Sequence, residues 1–364
     1  MKFQDVNITS LQEDPSKVSE DSILSSRPYI NDKGESVIAV NTGQIDSETN
    51  EMVYAEQKIH TNATLRKDEW IQLEKDILEA AQRRLVIIDD LRTNNLVKGV
   101  GGLGTIVSEW ESASEMTDAE ITMDGESKNP EKDRQEFEIH SVPIPVISKS
   151  FRIGKRTWLA SRNRGASLDT TQQIQAARSV ARVSENMVFN GTNLGTVNSA
   201  GSRSTVYGLT TFPSRATANI SDWADPSTTG ETILQEALGL VSIMETTQRH
   251  YGPFHLYIPG NMLFQFRQDY KAFSDKTLMQ RLLEEDAIEN IRASDMLANS
   301  NVCMVQMEPE VIDLAVAADI TTVQWETGSQ WSSHFQVFAA WAPRLKEDFN
   351  DRCGIMHATV GSGP

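Results

Sequence analysis

The sequence predicts an α+β protein in which helices and strands mix without a regular βαβ repeat. Three observations carry that expectation. Amphipathic helical stripes run over 67–84 and 168–191; short runs rich in β-branched and aromatic residues fill the second half; and a long acidic excursion separates the first two helices. At 364 residues and 39% hydrophobic content, there is more apolar material than one compact globule usually organises, so two lobes or an elongated domain with extensions are expected.

Residues 1–60 carry eleven acids against five bases and few large apolar side chains, so this segment cannot bury itself alone. Within it, Tyr29-Ile30 and Ser36-Val37-Ile38-Ala39-Val40 flank Asn31-Asp32-Lys33-Gly34, the pattern of a hairpin with glycine in its turn. The segment reads as an arm that orders against a neighbour. From Lys67, Trp70, Leu73, Ile77, Leu78, Ala81 and Leu85 recur at helical steps, with Asp68 and Glu69 at the positive end of the helix dipole. The β-branched run Leu85-Val86-Ile87-Ile88 predicts a strand or extended piece. Gly99-Val100-Gly101-Gly102-Leu103-Gly104 looks like a phosphate cradle, but strand-like residues follow it instead of a helix, so it is read as a connector.

Residues 109–138 hold eleven acids and three bases, Lys128, Lys132 and Arg134, around Gly125 and Pro130. Loose alternation on both sides predicts a two-stranded excursion with a polar tip. Its return, Val142-Pro143-Ile144-Pro145-Val146-Ile147, has two prolines and must run on a sheet edge or away from the main sheet. The charge then reverses: Lys149, Arg152, Lys155, Arg156, Arg162, Arg164, Arg178 and Arg182 face Asp169 alone up to residue 182. An acidic loop and a basic segment of similar size in one chain are explained together by complementarity between copies.

The helix opening at Leu168-Asp169-Thr170-Thr171 presents Ile174, Ala177, Val180, Ala181, Val183, Met187 and Val188 on one stripe and stops at Asn190-Gly191. Residues 192–231 read as loop. A second stripe, Ile233 to Met244, leads through Tyr251-Gly252-Pro253 to a strand at 254–258, a helix at 261–270 and another at 278–285. Strands are expected at 302–307, 321–325, 335–340 and 354–360, with an apolar run at 311–316.

The formal net charge of −17 excludes a general electrostatic footprint for nucleic acid or anionic membrane. Two cysteines, Cys303 and Cys353, are too few for a disulfide framework or a zinc site and read as inert buried thiols. The N-terminal residues lack a signal-peptide apolar core, and no stretch of about 18 apolar residues occurs, so cytoplasmic assembly without a membrane is the expectation. The six histidines are scattered without metal-ligand spacing, no nucleophile elbow is present, and pairs such as Glu284 and Glu285 arise by chance in an acidic chain. No catalytic, metal or cofactor residue is assigned, and the chain is read as no enzyme. The seven tryptophans read as packing or interface anchors.

The order of these elements resembles the capsid fold of tailed phages, the Hong Kong 97 type, and in particular encapsulin shell proteins. The likeness rests on five passages in order: the Trp70 helix, the excursion returning through 143–153, the helix at 168–191, the passage 251–266 and the late strand at 334–345. Together they span roughly 65–360. The resemblance implies an N-terminal arm (1–64), an N-terminal helix and the start of a peripheral domain (65–108), and an E-loop (109–150). A peripheral domain with a spine helix (151–228), a mainly axial domain (229–325) and a return to the peripheral domain (326–364) follow. It also implies an E-loop lying over a neighbouring subunit, which makes Glu120, Asp124, Glu126, Glu131, Arg152, Lys155, Arg156, Arg162 and Arg164 the expected subunit interface.

The expected function is therefore the major capsid protein of a tailed double-stranded DNA phage. Its pentamers and hexamers would close an icosahedral shell around DNA without sequence-specific binding, with scaffold, decoration and portal proteins as further partners and the virion as destination. The first 60 residues have no counterpart in the short encapsulins. An encapsulin shell enclosing cargo enzyme is the alternative, and a soluble acid-rich enzyme with an unrecognised site is the second. Lys128 and Lys132 match no motif for lysine–asparagine cross-linking. Reversing Arg152, Lys155 and Arg156 to Glu is expected to impair assembly without unfolding the chain, and Glu126→Lys with Glu131→Lys to restore it, as read by sedimentation velocity.

Overall fold

The computed structural model describes residues 28–31, 36–45, 52–58, 80–81, 85–114, 116, 123, 135–154, 156, 171–194, 205–271, 275–326 and 332–361. The chain divides into two compact units. One takes its residues from 1–85, 146–184 and 318–340, and the other from 86–145, 185–317 and 341–364.

In the first unit, strands β1 (Pro28–Ile30), β2 (Ser36–Ile45) and β3 (Met52–Lys58) form an antiparallel sheet in that order. The expected hairpin is present, with Tyr29 opposite Val37 and both side chains buried. The expected helix at 67–84 lies outside the described residues apart from Ala80 and Ala81, which are helical.

The second unit opens with α1 (Ile87–Thr93), where the sequence suggests extended chain. The reason is a cap contributed from far away. Oε1 of Glu185 accepts the N–H groups of Val86 and Ile87 at 3.1 and 2.8 Å, satisfying donors that a run of β-branched residues cannot satisfy itself. After β4 (Val97–Gly99), Gly101 and Gly102 adopt φ of 79° and 86°, the left-handed turn that the glycine-rich connector requires. Strands β5 (Val107–Ala113) and β6 (Phe137–Pro143) then pair antiparallel as a two-stranded hairpin. The proline-rich return is two strands, because Pro143 ends β6 and β7 (Val146–Gly154) begins after Pro145. Without N–H groups, the two prolines terminate one ladder and separate it from the next. Of the return expected on an edge or away from the main sheet, β6 stays in the hairpin, and β7, which belongs to the first unit, lies on the edge of a sheet ordered β4, β14 (Ile312–Glu326), β15 (Ser332–Leu345), β7.

The long helix α2 covers Thr171–Asn190, with residues 171–184 counted in the first unit and 185–190 in the second, and ends at Gly191 as its sequence predicts. Gly191 has φ of 69°, and a Cβ there would lie 2.5 Å from the Val206 carbonyl oxygen, so only glycine fits. Short strands β8 (Thr192–Asn193) and β9 (Thr205–Val206) follow. The segment read as loop contains β10 (Ala216–Ile220), whose polar side chains hid it and whose parallel pairing with β16 (Ile355–Val360) defines it.

Helix α3 (Gly230–Ile243), one π-helical turn at Met244–Gln248, β11 (Phe254–Pro259), α4 (Leu263–Phe266), α5 (Leu278–Leu282), β12 (Ile288–Ser294) and β13 (Asn301–Gln306) complete the unit. The expected helix at 261–270 shrinks to four residues, β12 was not expected, and the runs at 311–316 and 321–325 join in one 15-residue strand.

A five-stranded sheet ordered β10, β16, β13, β11, β12 is the core of this unit. Strand alternation sends Phe254, Leu256 and Ile258 into a cluster with Ile233, Ala237 and Leu240 of α3, Trp223 and Phe266. On the opposite side, Tyr257 meets Phe189 edge to face and donates its hydroxyl to Asp90 at 2.7 Å. Burial pushes the Glu185 carboxyl up to about 7, against the N–H groups of Ile87 and Val86 that favour its charged form. Since its ordinary value is 4.5, the native state holds this proton more tightly than the unfolded chain. Stability is therefore lost as pH rises from 4.5 to about 7. Glu185→Gln is expected to flatten that loss and raise the melting temperature above the window, as calorimetry on either side of it will report.

Candidate subunit-contact surfaces

The hairpin β5–β6 alternates strictly. Ser108, Trp110 and Ser112 share a face with Val142, His140 and Glu138, while Glu109, Glu111 and Ala113 share the other with Ser141, Ile139 and Phe137. Near the root the first face is packed. Trp110 stacks on His140 at 5.7 Å between centroids, and Ser112 Oγ lies 2.9 Å from His140 Nε2.

Beneath the root lies Asp313, whose side chain is wholly buried. Arg344 grips its two oxygens at 2.5 and 2.8 Å, Lys346 reaches it at 2.7 Å and Lys98 at 3.4 Å. The same guanidinium donates to Ser108 Oγ at 3.2 Å and stands 5.9 Å from the centre of the Trp110 ring. One buried ion pair thus fastens the hairpin to the strands that carry it.

The second face has no such packing. Phe137 and Ile139 are each 65% exposed and lie two residues apart on one side of the ribbon, with Glu109 and Glu111 exposed on the opposing strand. Two large apolar side chains rimmed by acids thus form an exposed patch on a ribbon that, among the described residues, pairs only with itself. The tip acids Glu120, Asp124, Glu126 and Glu131 lie outside the described residues.

Of the basic residues, Lys155, Arg162 and Arg164 also lie outside them. Arg152 is exposed on β7 and Arg156 is exposed shortly after it, and neither joins an ion pair among the described residues. Arg152 sits directly opposite His334 on β15, and His334 stacks on Trp325 at 5.7 Å. Trp325 is 41% exposed and Val323, two residues before it, 45%. This unit therefore bears a face on which an arginine adjoins exposed aromatic and apolar groups. Local charge points to the arginine, whereas composition marks the tryptophan only as a general packing or interface anchor. The cross-strand register and the alternation of β14 that join them are not written in local composition.

Among the described residues, no group of three His, Cys, Asp or Glu side chains is placed to hold a metal. Cys303 and Cys353 are buried, and burial pushes both thiols up to about 12, far from the thiolate that a nucleophile requires. No described helix is long and apolar enough to cross a membrane.

Breaking the root pair is expected to leave Asp313 buried and partly uncompensated. Arg344→Leu should lower unfolding free energy by about 3–5 kcal/mol, whereas Arg344→Lys, which keeps the charge but loses the two-pronged grip, should lose less. Urea unfolding followed by Trp fluorescence measures both.

Comparison with known proteins agrees with this architecture. The chain is 23% identical over 292 residues to the type 1 encapsulin shell protein EncA of Myxococcus xanthus (strain DK1622), covering 79% of this chain and 92% of that protein. Among solved structures, it resembles a virus-like particle from Pyrococcus furiosus with a TM-score of 0.54 and 18% identity, covering 79% of this chain and 98% of the other. It also resembles the capsid of Myoviridae phage XM1 with a TM-score of 0.55 and 12% identity, over 88% and 100% of the two chains. These likenesses show the Hong Kong 97-type capsid fold. Residues 60–358 match the family of unknown function DUF6260, and the chain belongs to that family.

Proposed function

We propose that this chain is the subunit of a closed protein shell, the major capsid protein of a tailed double-stranded DNA phage. The observation that carries the reading is the exposed face of the β5–β6 hairpin, Phe137 and Ile139 beside Glu109 and Glu111. A self-sufficient monomer gains nothing from holding two large apolar side chains in water on a strand pair. A subunit whose neighbour covers them gains about 1.5–3 kcal/mol for each one buried. The complementary surface in the same chain is the face with Arg152, His334 and Trp325, where apolar groups and a base lie side by side. Charge then selects the register between copies while apolar burial contributes most of the affinity. Symmetry makes the many weak contacts cooperative.

A net charge of −17 suits the enclosure of DNA, because a lining that does not grip phosphates lets the polymer move during packaging. Pentamers and hexamers, with scaffold, decoration and portal proteins as further partners and the virion as destination, belong to the same reading. The likeness to EncA over 92% of that protein's length supports a second one, an encapsulin-type compartment around protein cargo. Electron microscopy of particles from the recombinant chain, with nucleic-acid and protein analysis of their contents, separates the two.

Phe137→Glu combined with Ile139→Glu is expected to abolish particles at concentrations where the unsubstituted chain assembles, with an unchanged circular dichroism spectrum. Particles formed normally by the double variant would remove the hairpin face from the assembly contact.

A further inference from the structure

A cavity of about 290 Å³ opens at the hairpin root, within the second unit. A water's share of liquid volume is about 30 Å³, so this space is far larger than a packing defect and admits a side chain. Trp110 and His140 of the hairpin, Tyr207 and Phe212 of the following segment, Pro343 of β15, and Glu347 line it. Oε2 of Glu347 is shielded from solvent and accepts no hydrogen bond. No cation pairs with Glu347 among the described residues, and Arg344, which stands over the Trp110 ring, is committed to Asp313.

Aromatic walls around an unanswered carboxylate oxygen select one chemistry. An apolar group entering here would leave Oε2 buried without a partner, and an anion would be repelled. A cation both answers the carboxylate and lies against the ring faces. A guanidinium does this better than an ammonium, being flat enough to stack on Trp or Tyr while it donates in-plane to the carboxylate. Exposed Glu109, Glu111 and Glu138 on the same hairpin make its surroundings favourable to an approaching base. Arg152 and Arg156 of the same sequence are exposed and outside any ion pair among the described residues.

We propose that this cavity receives an arginine side chain, Arg152 or Arg156, from a second copy of the chain. The proposal rests on the shell reading and adds to it a specific socket at the hairpin root. It locks the hairpin of one subunit to the basic strand of the next by a charged contact whose carboxylate oxygen is shielded from water.

The test mixes full-length Glu347→Cys chains with equal amounts of Arg152→Cys or Arg156→Cys chains, assembles them and treats the particles with a bis-maleimide as long as a paired glutamate and arginine side chain, because cysteines at those two backbones stand too far apart for a disulfide. Cys303 is buried with a raised thiol, and because Glu347 acts on the Cys353 thiol, Glu347→Cys chains assembled alone serve as the control for links to Cys353. A bis-maleimide cross-link joining position 347 to 152 or 156, present in particles and absent from unassembled chains, is the expected result. Particles that form yet contain neither link overturn the socket and leave the shell reading standing. Failure of the unsubstituted chain to assemble would remove the shell reading, and the socket with it. Should a cysteine variant misfold, Glu347→Gln keeps the shape and removes the charge. It is expected to raise the concentration of half-assembly about tenfold, and an unchanged concentration overturns the proposal.

Discussion

A buried negative charge organises the part of this molecule that matters for its role. Asp313 lies wholly inside the protein, and a carboxylate there is tolerable only with cations and hydrogen bonds around it. Arg344 supplies a two-pronged grip, Lys346 and Lys98 add positive charge, and the remaining reach of the guanidinium goes to Ser108 and Trp110 of the hairpin. Neutralising the charge and orienting the hairpin are thus one interaction. Among the described residues no further strand pairs with the hairpin, so its direction depends on this contact at its root.

What the hairpin presents follows from strand alternation. The face turned to Arg344 is occupied by Trp110, His140 and Ser112, while Phe137, Ile139, Glu109 and Glu111 on the other face are exposed. Surface ion pairs alone contribute about 0–1 kcal/mol, too little to hold the proposed shell. A surface that combines apolar burial with charge answers both needs, since the first gives affinity and the second excludes wrong registers. Trp325, His334 and Arg152 show the same combination with the opposite sign.

The interior of the second unit uses a related device. Glu185 caps α1 across 98 residues of sequence, and Asp90 of that helix receives Tyr257 and Arg292. Two carboxylates therefore fix a short helix that its own residues would not specify. This arrangement makes stability depend on pH, because a carboxyl buried this deeply resists ionisation.

The amino-acid sequence by itself determined whatever depends on local periodicity and local charge. The extent of α2 and its glycine stop, the hairpin at Tyr29 and Val37, the acidic ribbon, the edge position of β7 and the order of elements that marks the capsid fold were all legible in it. Only the tertiary structure decided what depends on partners distant along the chain. Ile87–Thr93 is helical because of Glu185, Ala216–Ile220 is a strand because β16 runs beside it, and Glu347 lines a cavity because the hairpin root and residue 207 meet there. Local sequence carries propensity and pattern, but a cap, a ladder or a pocket wall contributed from a hundred residues away leaves no mark in the residues it acts upon.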